Sequence, residues 1–256
     1  MAQDYLLLIV YAPAHAGGDK RILAIIDGME RAVPGLSLKW TISDDGRFVA
    51  LPQRDLWVTQ EMTGGRFPLL CNGDKSHLVT LTGWEKPAGL SPGGKPLLEV
   101  HAKLPLDAAI TAVAADVLEG VAEGARALWG HATPKRAAGD IAEQTSRPFH
   151  GLHRPPRGLP VLKKAEDIRA PELPQYLGWL NYWSAPAARS IGFPDPARDV
   201  GLLSLARRTA TSGWIVPLTD APLDLDNPSH LDALLRTYER IPEIGGRASL
   251  SNASPV

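Results

Sequence analysis

The sequence of 256 residues lacks most features that would assign it to a specialised class of protein. Cys71 is the only cysteine, which excludes an intrachain disulfide and a thiolate metal cluster and suits a reducing compartment. No apolar run approaches the roughly 20 residues of a membrane span, and Asp4 stands where a secretory leader needs positive charge. A net charge of −1 gives no global attraction to nucleic acid or to an anionic membrane. We therefore expect a cytoplasmic protein with no nucleic-acid or membrane partner.

Strand patterns dominate the first hundred residues. YLLLIVY predicts a strand buried on both faces, and the later segments alternate apolar with polar residues. The expected strands are 5–11, 36–42, 47–51, 55–60, 77–82 and 97–104. Apolar residues at helical spacing over 22–33 predict an amphipathic helix that ends at Pro34-Gly35.

Helical patterns dominate the remainder. Asp107 and Asn227-Pro228 have the character of helix N-caps, and Gly120 and Gly124 share one helix face that another backbone could approach closely. The expected helices are 107–130, 133–145, 195–210 and 228–240, with one further strand at 214–218. A basic, proline-rich stretch, 147–174, predicts an extended connection over the surface.

These patterns predict an α+β fold with a mixed β-sheet, built mainly from the N-terminal half, on which the helices pack. We expect a single domain over residues 1–246, with a strand-rich half at 1–104 and a helix-rich half at 105–246. The tail at 247–256 is expected to be disordered.

No motif for a metal or a cofactor is complete. The loop 14–18 joins a strand to a helix but matches neither the dinucleotide fingerprint nor the P-loop. His150 and His153 form an H-x-x-H pair, but prolines on both sides oppose a helix and no third ligand follows at a telling distance. We therefore expect no metal, no cofactor and no catalytic residue of a recognised kind.

An acidic loop precedes the last predicted helix. Asp220, Asp224 and Asp226 lie in TDAPLDLDNP, and an EF-hand fails there because Pro228 and Ser229 occupy ligand and glycine positions. The plain interpretation is helix capping and a solvated loop. The alternatives are a catalytic carboxylate pair and an acidic patch that binds a partner. The residues proposed for such a patch are Asp220, Asp224, Asp226, Asp232 and Glu239. Its carboxylates either pair with the basic stretch within the fold or remain available to a basic partner.

The segment LGWLNYWS at 177–184 is the most distinctive in the chain, and its clustered aromatics predict core packing, with an exposed interface as the alternative. Together with the later NPSH it resembles the immunity protein 52 family of bacterial polymorphic toxin systems and related uncharacterised myxobacterial proteins. The positions that carry this resemblance are Gly178, Trp179, Asn181, Tyr182, Trp183, Ser184, Asn227, Pro228 and His230. They are aromatic and structural in character.

The resemblance implies a cytoplasmic antidote that binds a cognate protein toxin, often a nuclease, and occludes its active site. Two alternatives come from other classes of function. One is a small metal-dependent or hydrolytic enzyme that uses the loop 220–226 with His230, or the pair His150 and His153. The other is a subunit of a larger assembly with the aromatic segment as its interface, and a homo-oligomer is compatible with each of these functions.

Overall fold

An antiparallel β-sheet runs through both halves of the chain. The computed structural model describes residues 4–14, 20–61, 66–145 and 155–247. Within them the strands are β1 (Tyr5–Pro13), β2 (Trp40–Ile42), β3 (Phe48–Ala50), β4 (Arg66–Cys71), β5 (Thr80–Lys86), β6 (Leu97–Pro105), β7 (Trp129–Pro134), β8 (Leu180–Trp183), β9 (Arg207–Arg208) and β10 (Trp214–Pro217). Their order in the sheet is β3-β2-β4-β5-β6-β1-β7-β8-β10-β9.

The α+β class is confirmed, whereas the mixed character of the sheet is not. Every pairing between described strands is antiparallel. Six of these ten strands come from residues before Asp107, so the sheet is built mainly from the N-terminal half, as expected. Four more strands from the second half extend it beyond β1, where the sequence predicted only one.

The longest helix packs on the sheet's central strands, and the first helix packs against it. The helices in the described residues are α1 (Arg21–Ala32), α2 (Arg54–Glu61), α3 (Ala108–Ala125), α4 (Lys135–Ala142), α5 (Ala185–Ser190), α6 (Val200–Leu205) and α7 (Pro228–Arg240). The Asp107 side chain accepts a hydrogen bond from the backbone N–H of Ile110 and so begins α3 as predicted. One stripe of α3, which includes Val117 and Val121, is fully buried against the even-numbered side chains of β1.

The crossing of α1 and α3 is unusually close because glycines lie at the contact. A Cβ built on Gly28 would lie 2.2 Å from the carbonyl oxygen of Gly120, and one built on Gly124 would lie 2.5 Å from that of Ala24. Only a residue without a side chain fits such a backbone contact. The predicted close approach at Gly120 and Gly124 is thus confirmed.

The predicted helix 107–130 is too long. Helix α3 ends at Ala125, with Arg126 in the left-handed conformation at φ 53°, and the chain then enters β7. Strand β7 pairs with β1, and Trp129 stacks on Tyr11 with ring centroids 3.9 Å apart. Burial of this aromatic pair across two strands opposes the helix that the local pattern favoured.

Three other predicted elements differ from the structure. The segment 55–60, expected as a strand, is part of α2, where Val58 alone is buried and the polar side chains face outward. The expected helix 195–210 is reduced to α6, because the chain then forms β9 at the edge of the sheet. The expected helix 133–145 begins at Lys135 because Thr133 and Pro134 complete β7.

The proline-rich connection is packed onto the protein over its described part, residues 155–174. The Trp129 indole N–H donates to the carbonyl oxygen of Pro171 at 3.2 Å, on the sheet face opposite to α3. Leu162 and Ile168 are buried along the same stretch, which contains short 3₁₀ turns. Residues 147–154 and all but Arg247 of the predicted disordered tail lie outside the described residues. Among the described helices, none is long and apolar enough to cross a membrane.

Candidate functional site

The acidic loop connects β10 to α7 and presents its carboxylates to solvent. Leu223 and Leu225 are buried, and they alternate with the exposed Asp224 and Asp226. Asp220 is exposed as well. The loop is therefore anchored by leucines in the core while its acidic side chains point outward, as an interaction loop on a rigid scaffold requires.

Hydrogen bonds fix the conformation of this loop against α7. The backbone N–H of Asp224 donates to the His230 ring Nδ1 at 3.1 Å, and the N–H of Asp226 donates to Asp224 Oδ1 at 3.0 Å. The Asn227 side chain accepts from the backbone N–H of Ser229 at 3.0 Å and caps α7, with Pro228 at the first helical position. In this position His230 braces the loop, and the three motif residues at 227, 228 and 230 have structural roles.

Two of the five predicted partner-binding carboxylates are paired within the fold. Asp226 lies 2.9 Å from the Arg157 guanidinium, and Asp232 lies 2.9 Å from that of Arg236 one helical turn later. Arg157 also contacts Asp140 at 2.5 Å, and the hydrogen bond to that carboxylate raises the pKa of Arg157. Thus the basic stretch neutralises Asp226, which is one of the two outcomes that the sequence left open.

The other three carboxylates remain available. Asp220, Asp224 and Glu239 are exposed, and none of them forms an ion pair with a described residue. Asp224 Oδ1 accepts only the neighbouring backbone N–H within the loop. Of these three side chains, Asp220 and Asp224 lie in the loop itself, and Glu239 lies near the C-terminal end of α7.

The aromatic segment is part of the core. It forms β8, between β7 and β10, where Trp179, Tyr182 and Trp183 are each at most 3% exposed. The Trp179 indole N–H donates to the carbonyl oxygen of Thr219 at 3.0 Å, which ties β8 to the start of the acidic loop. Their burial agrees with core packing and not with an exposed interface.

The side chains of Asn181 and Ser184 are satisfied internally, whereas the buried Trp183 indole N–H has no hydrogen-bond partner among the described residues. The Asn181 amide accepts from the Gly178 N–H at 2.9 Å and donates to the carbonyl oxygens of Gly178 and Val216 at 3.1 Å. Ser184 caps α5 by accepting from the N–H of Ala187. A Cβ on Gly178 would lie 2.3 Å from Thr133 Oγ1, so this position requires glycine. These motif residues therefore determine the fold around the loop.

A second polar cluster, on the sheet face opposite to α3, was missed from the sequence. Strand β6 places Glu99 and His101 on this face, with His101 Nε2 at 3.5 Å from Glu99 Oε1. The ring of half-exposed Trp84 lies over His101 at 4.3 Å. The sequence contains a pattern that could have revealed this cluster. The alternation of apolar residues predicted for 97–104 leaves Glu99, His101 and Lys103 together on the other face of the strand.

Burial governs the protonation of this cluster. Burial, with a smaller contribution from the charge of His101, lowers the pKa of His131 to about 4, so its imidazole is neutral at pH 7. Its Nδ1 lies 3.1 Å from Thr133 Oγ1. Burial acts to raise the pKa of Glu99, but its interaction with the His101 ring 3.5 Å away outweighs burial, and the pKa is lowered overall. Burial raises the pKa of the Tyr11 hydroxyl.

The described residues contain no group of three or more His, Cys, Asp or Glu side chains that could hold a metal ion. The predicted H-x-x-H pair, His150 and His153, lies outside the described residues, as does the loop from His15 to Gly18. Cys71 is buried in β4, as expected for a small apolar side chain. Within the described chain, the structure holds the acidic loop against the start of α7, whereas Glu239 lies near the other end of that helix.

Comparison with known proteins gives a fold and a family. No curated protein matches the sequence. Among solved structures the chain is similar to the Pseudomonas aeruginosa T6SS protein PA0821, with a TM-score of 0.53 and 15% identity over 93% of this chain and 76% of that one. At that identity the likeness indicates a shared fold alone. The family model described as "Domain of unknown function (DUF5953)" matches residues 17–249, and the chain therefore belongs to this family.

Proposed function

We propose that the chain is an immunity protein that binds a cognate protein toxin of a polymorphic toxin system and occludes its active site. The observation that carries this proposal is the set of exposed carboxylates, Asp220, Asp224 and Glu239, on a braced loop and the helix beside it. Exposed carboxylates of this kind can attract and bind a partner of opposite charge. We place the protein in the cytoplasm, where such an antidote acts.

Two likenesses support the same context. The solved structure with a similar fold is named as a T6SS protein, which fits a secretion or toxin system. The aromatic segment resembles the immunity protein 52 family, and its residues build the core that holds the acidic loop. Neither likeness identifies the toxin, so its chemistry is inferred from charge.

We infer a nuclease as the toxin. A nuclease cleft is basic because it attracts phosphates, and carboxylates on a rigid loop can occupy such a cleft. The net charge of this chain is only −1, so the attraction must be local to the loop and α7. Local charges of this kind accelerate association and make it sensitive to salt.

The test is a pair of charge variants matched in size. Asp220→Lys with Asp224→Asn removes the acidic character of the loop, while asparagine retains the oxygen that accepts the Asp226 N–H. The control is Glu166→Lys with Glu172→Gln, which makes the same change of charge on the segment 155–176. Binding to the product of the neighbouring gene, purified as the candidate toxin, is measured by surface plasmon resonance at low and physiological salt.

We expect the loop variant to bind the toxin at least ~10-fold more weakly, mainly through slower association, and to show a smaller dependence on salt. The control variant should bind as the wild type does. Equal loss of affinity in both variants would mean that overall charge, and not this loop, governs binding. If both variants bind as tightly as the wild type, the acidic loop is not the contact surface.

A further inference from the structure

Strand β3 lies at one edge of the sheet and leaves backbone groups without a partner strand. Hydrogen bonds join the backbones of Ser43 and Arg47 and of Lys39 and Leu51 on either side of the hairpin formed by β2 and β3. Because bonded pairs alternate along an antiparallel ladder, Val49 faces β2, whereas Phe48 and Ala50 direct their N–H and C=O groups outward. No other described strand pairs with this outer side. A row of this kind is a template for a further strand.

Exposed apolar side chains surround this edge. Trp40 on β2 is 37% exposed, Val49 on β3 is 45% exposed and Leu56 on α2 is 53% exposed. They are three of the eight large apolar side chains exposed in the described chain, and they belong to three successive elements. Because Val49 lies opposite Thr41, Trp40 and Val49 are on opposite faces of the hairpin, so apolar surface is exposed on both sides of the open strand.

We propose that β3 pairs with β3 of a second copy of this chain, antiparallel about a two-fold axis at Val49. The outward groups then form the hydrogen-bonded pairs, with Phe48 opposite Ala50 of the other copy. The two Val49 residues lie directly opposite one another, on the exposed side of the strand. The sheet becomes continuous through both copies, and the open edge disappears.

In this register the two copies also match in shape. Counting outward from Val49, the hairpin tip at 44–46 of one copy falls opposite residues 52–54 of the other. Those residues line a cavity of about 500 Å³ beside the edge, together with Lys39 and Leu56. The tip turns at Gly46, with φ 79°, and in this register it lies beside that cavity.

The same register is complementary in charge. The tip carries Asp44 and Asp45, and the cavity is lined by Lys39, Arg54 and Asp55. Asp45 is paired with Arg47, and Arg54 with Glu30 and Asp55, so the charge match rests on Asp44 and Lys39. Asp44 and Lys39 are exposed and form no ion pair with a described residue, so each has an opposite charge to meet across the two-fold axis. A strand from an unrelated protein would gain the backbone bonds without this match, which favours a second copy as the occupant.

The dimer should be weak, because a strand of three residues with its flanks buries less surface than a standard interface. In sedimentation equilibrium we expect the mass of the wild type to rise with concentration from 27.5 kDa toward twice that value. Val49→Lys places like charges directly opposite and should weaken association at least ~10-fold. The matched control is Val161→Lys, at a valine that is 59% exposed on another segment, and it should associate as the wild type does.

A cross-link tests the register independently of affinity. Residues that face each other in a non-hydrogen-bonded pair have Cα atoms about 4.5 Å apart, which suits a disulfide. Under mild oxidation we expect Val49→Cys to form a covalent dimer much faster than Val161→Cys, with buried Cys71 present in both. A wild type that stays monomeric up to about 1 mM, a dimer that Val49→Lys leaves intact, or equal cross-linking of the two cysteine variants would each overturn the proposal.

Discussion

Replacement of His131 should change how the stability of the fold depends on pH. The pKa of this imidazole is about 6.5 in an unfolded chain and about 4 in the folded protein, chiefly because of its burial. A histidine whose pKa is depressed in the folded protein has no effect on the pH dependence of stability above about pH 6.5, because it is neutral in both the folded and the unfolded state there. As the pH falls from 6.5 to 4, the unfolded chain binds a proton at His131 while the folded protein stays neutral there, so the free energy of unfolding decreases.

The size of this effect follows from the two pKa values. A difference of one pKa unit corresponds to 1.36 kcal/mol, so His131 should remove about 3 kcal/mol from the free energy of unfolding between pH 6.5 and 4. In His131→Asn this loss disappears, although the variant is less stable at pH 7.5 because its packing is poorer. The pH dependence of the variant should therefore be shallower than that of the wild type by about 1.4 kcal/mol per pH unit.

Urea denaturation at a series of pH values between 7.5 and 4.5 measures the effect. The matched control is Thr133→Val, which removes the hydroxyl next to the ring but keeps the titrating group, and should retain the wild-type slope. NMR of labelled histidine should place the titration midpoint of His131 near pH 4 in the folded protein. Parallel slopes for wild type and His131→Asn, or a midpoint near 6.5, would show that buried His131 is not the source of the pH dependence.

Two other substitutions test the packing of the core. Gly120→Ala places a methyl group 2.5 Å from the Gly28 carbonyl oxygen and should cost about 1–3 kcal/mol in thermal or urea unfolding. Gly139→Ala, which meets nothing within 4 Å, should cost nothing, and an equal loss in both variants would contradict the close helix crossing. Asn181→Ala leaves backbone groups at Gly178 and Val216 buried without partners and should cost about 3 kcal/mol or more, whereas a near-neutral result would mean that water replaces the amide.

Elements with a strong local signal were predictable from the sequence. Helix α7 occupies residues Pro228–Arg240, as its cap at Asn227 and its N1 proline indicate, and α3 begins after its cap at Asp107. The strand expected at 97–104 also agrees with β6. In these cases capping residues and periodicity point to the same structure that tertiary packing selects.

Elements that depend on distant partners were not predictable. Strand β7 continues directly from the α3 pattern, and only its pairing with β1, more than a hundred residues earlier, makes Trp129–Pro134 a strand. Segment 55–60 carries valine and threonine, which favour strands, yet it is helical because it lies outside the sheet next to β3. Local propensity is a weak prior where tertiary contacts decide.

The candidate site also has features that the sequence predicted and features that it did not. The exposure of Asp220 and Asp224 follows from the local alternation of acids with leucines and from the helix that comes after them. The ion pair between Arg157 and Asp226 joins segments far apart in the sequence, and so does the cluster of Glu99 with His131. Such pairs arise from strand order and chain crossing, which no local pattern encodes.

The central test of the proposed function is protection of cells against a toxin. A product of a neighbouring gene whose expression alone stops growth is expressed in bacterial cells together with the chain or with an empty vector, and growth is followed while the two proteins are purified together. We predict that the chain restores growth and is recovered in a stable complex with the toxin. Toxicity that persists in the presence of an excess of folded chain, with no complex recovered, would contradict the proposal.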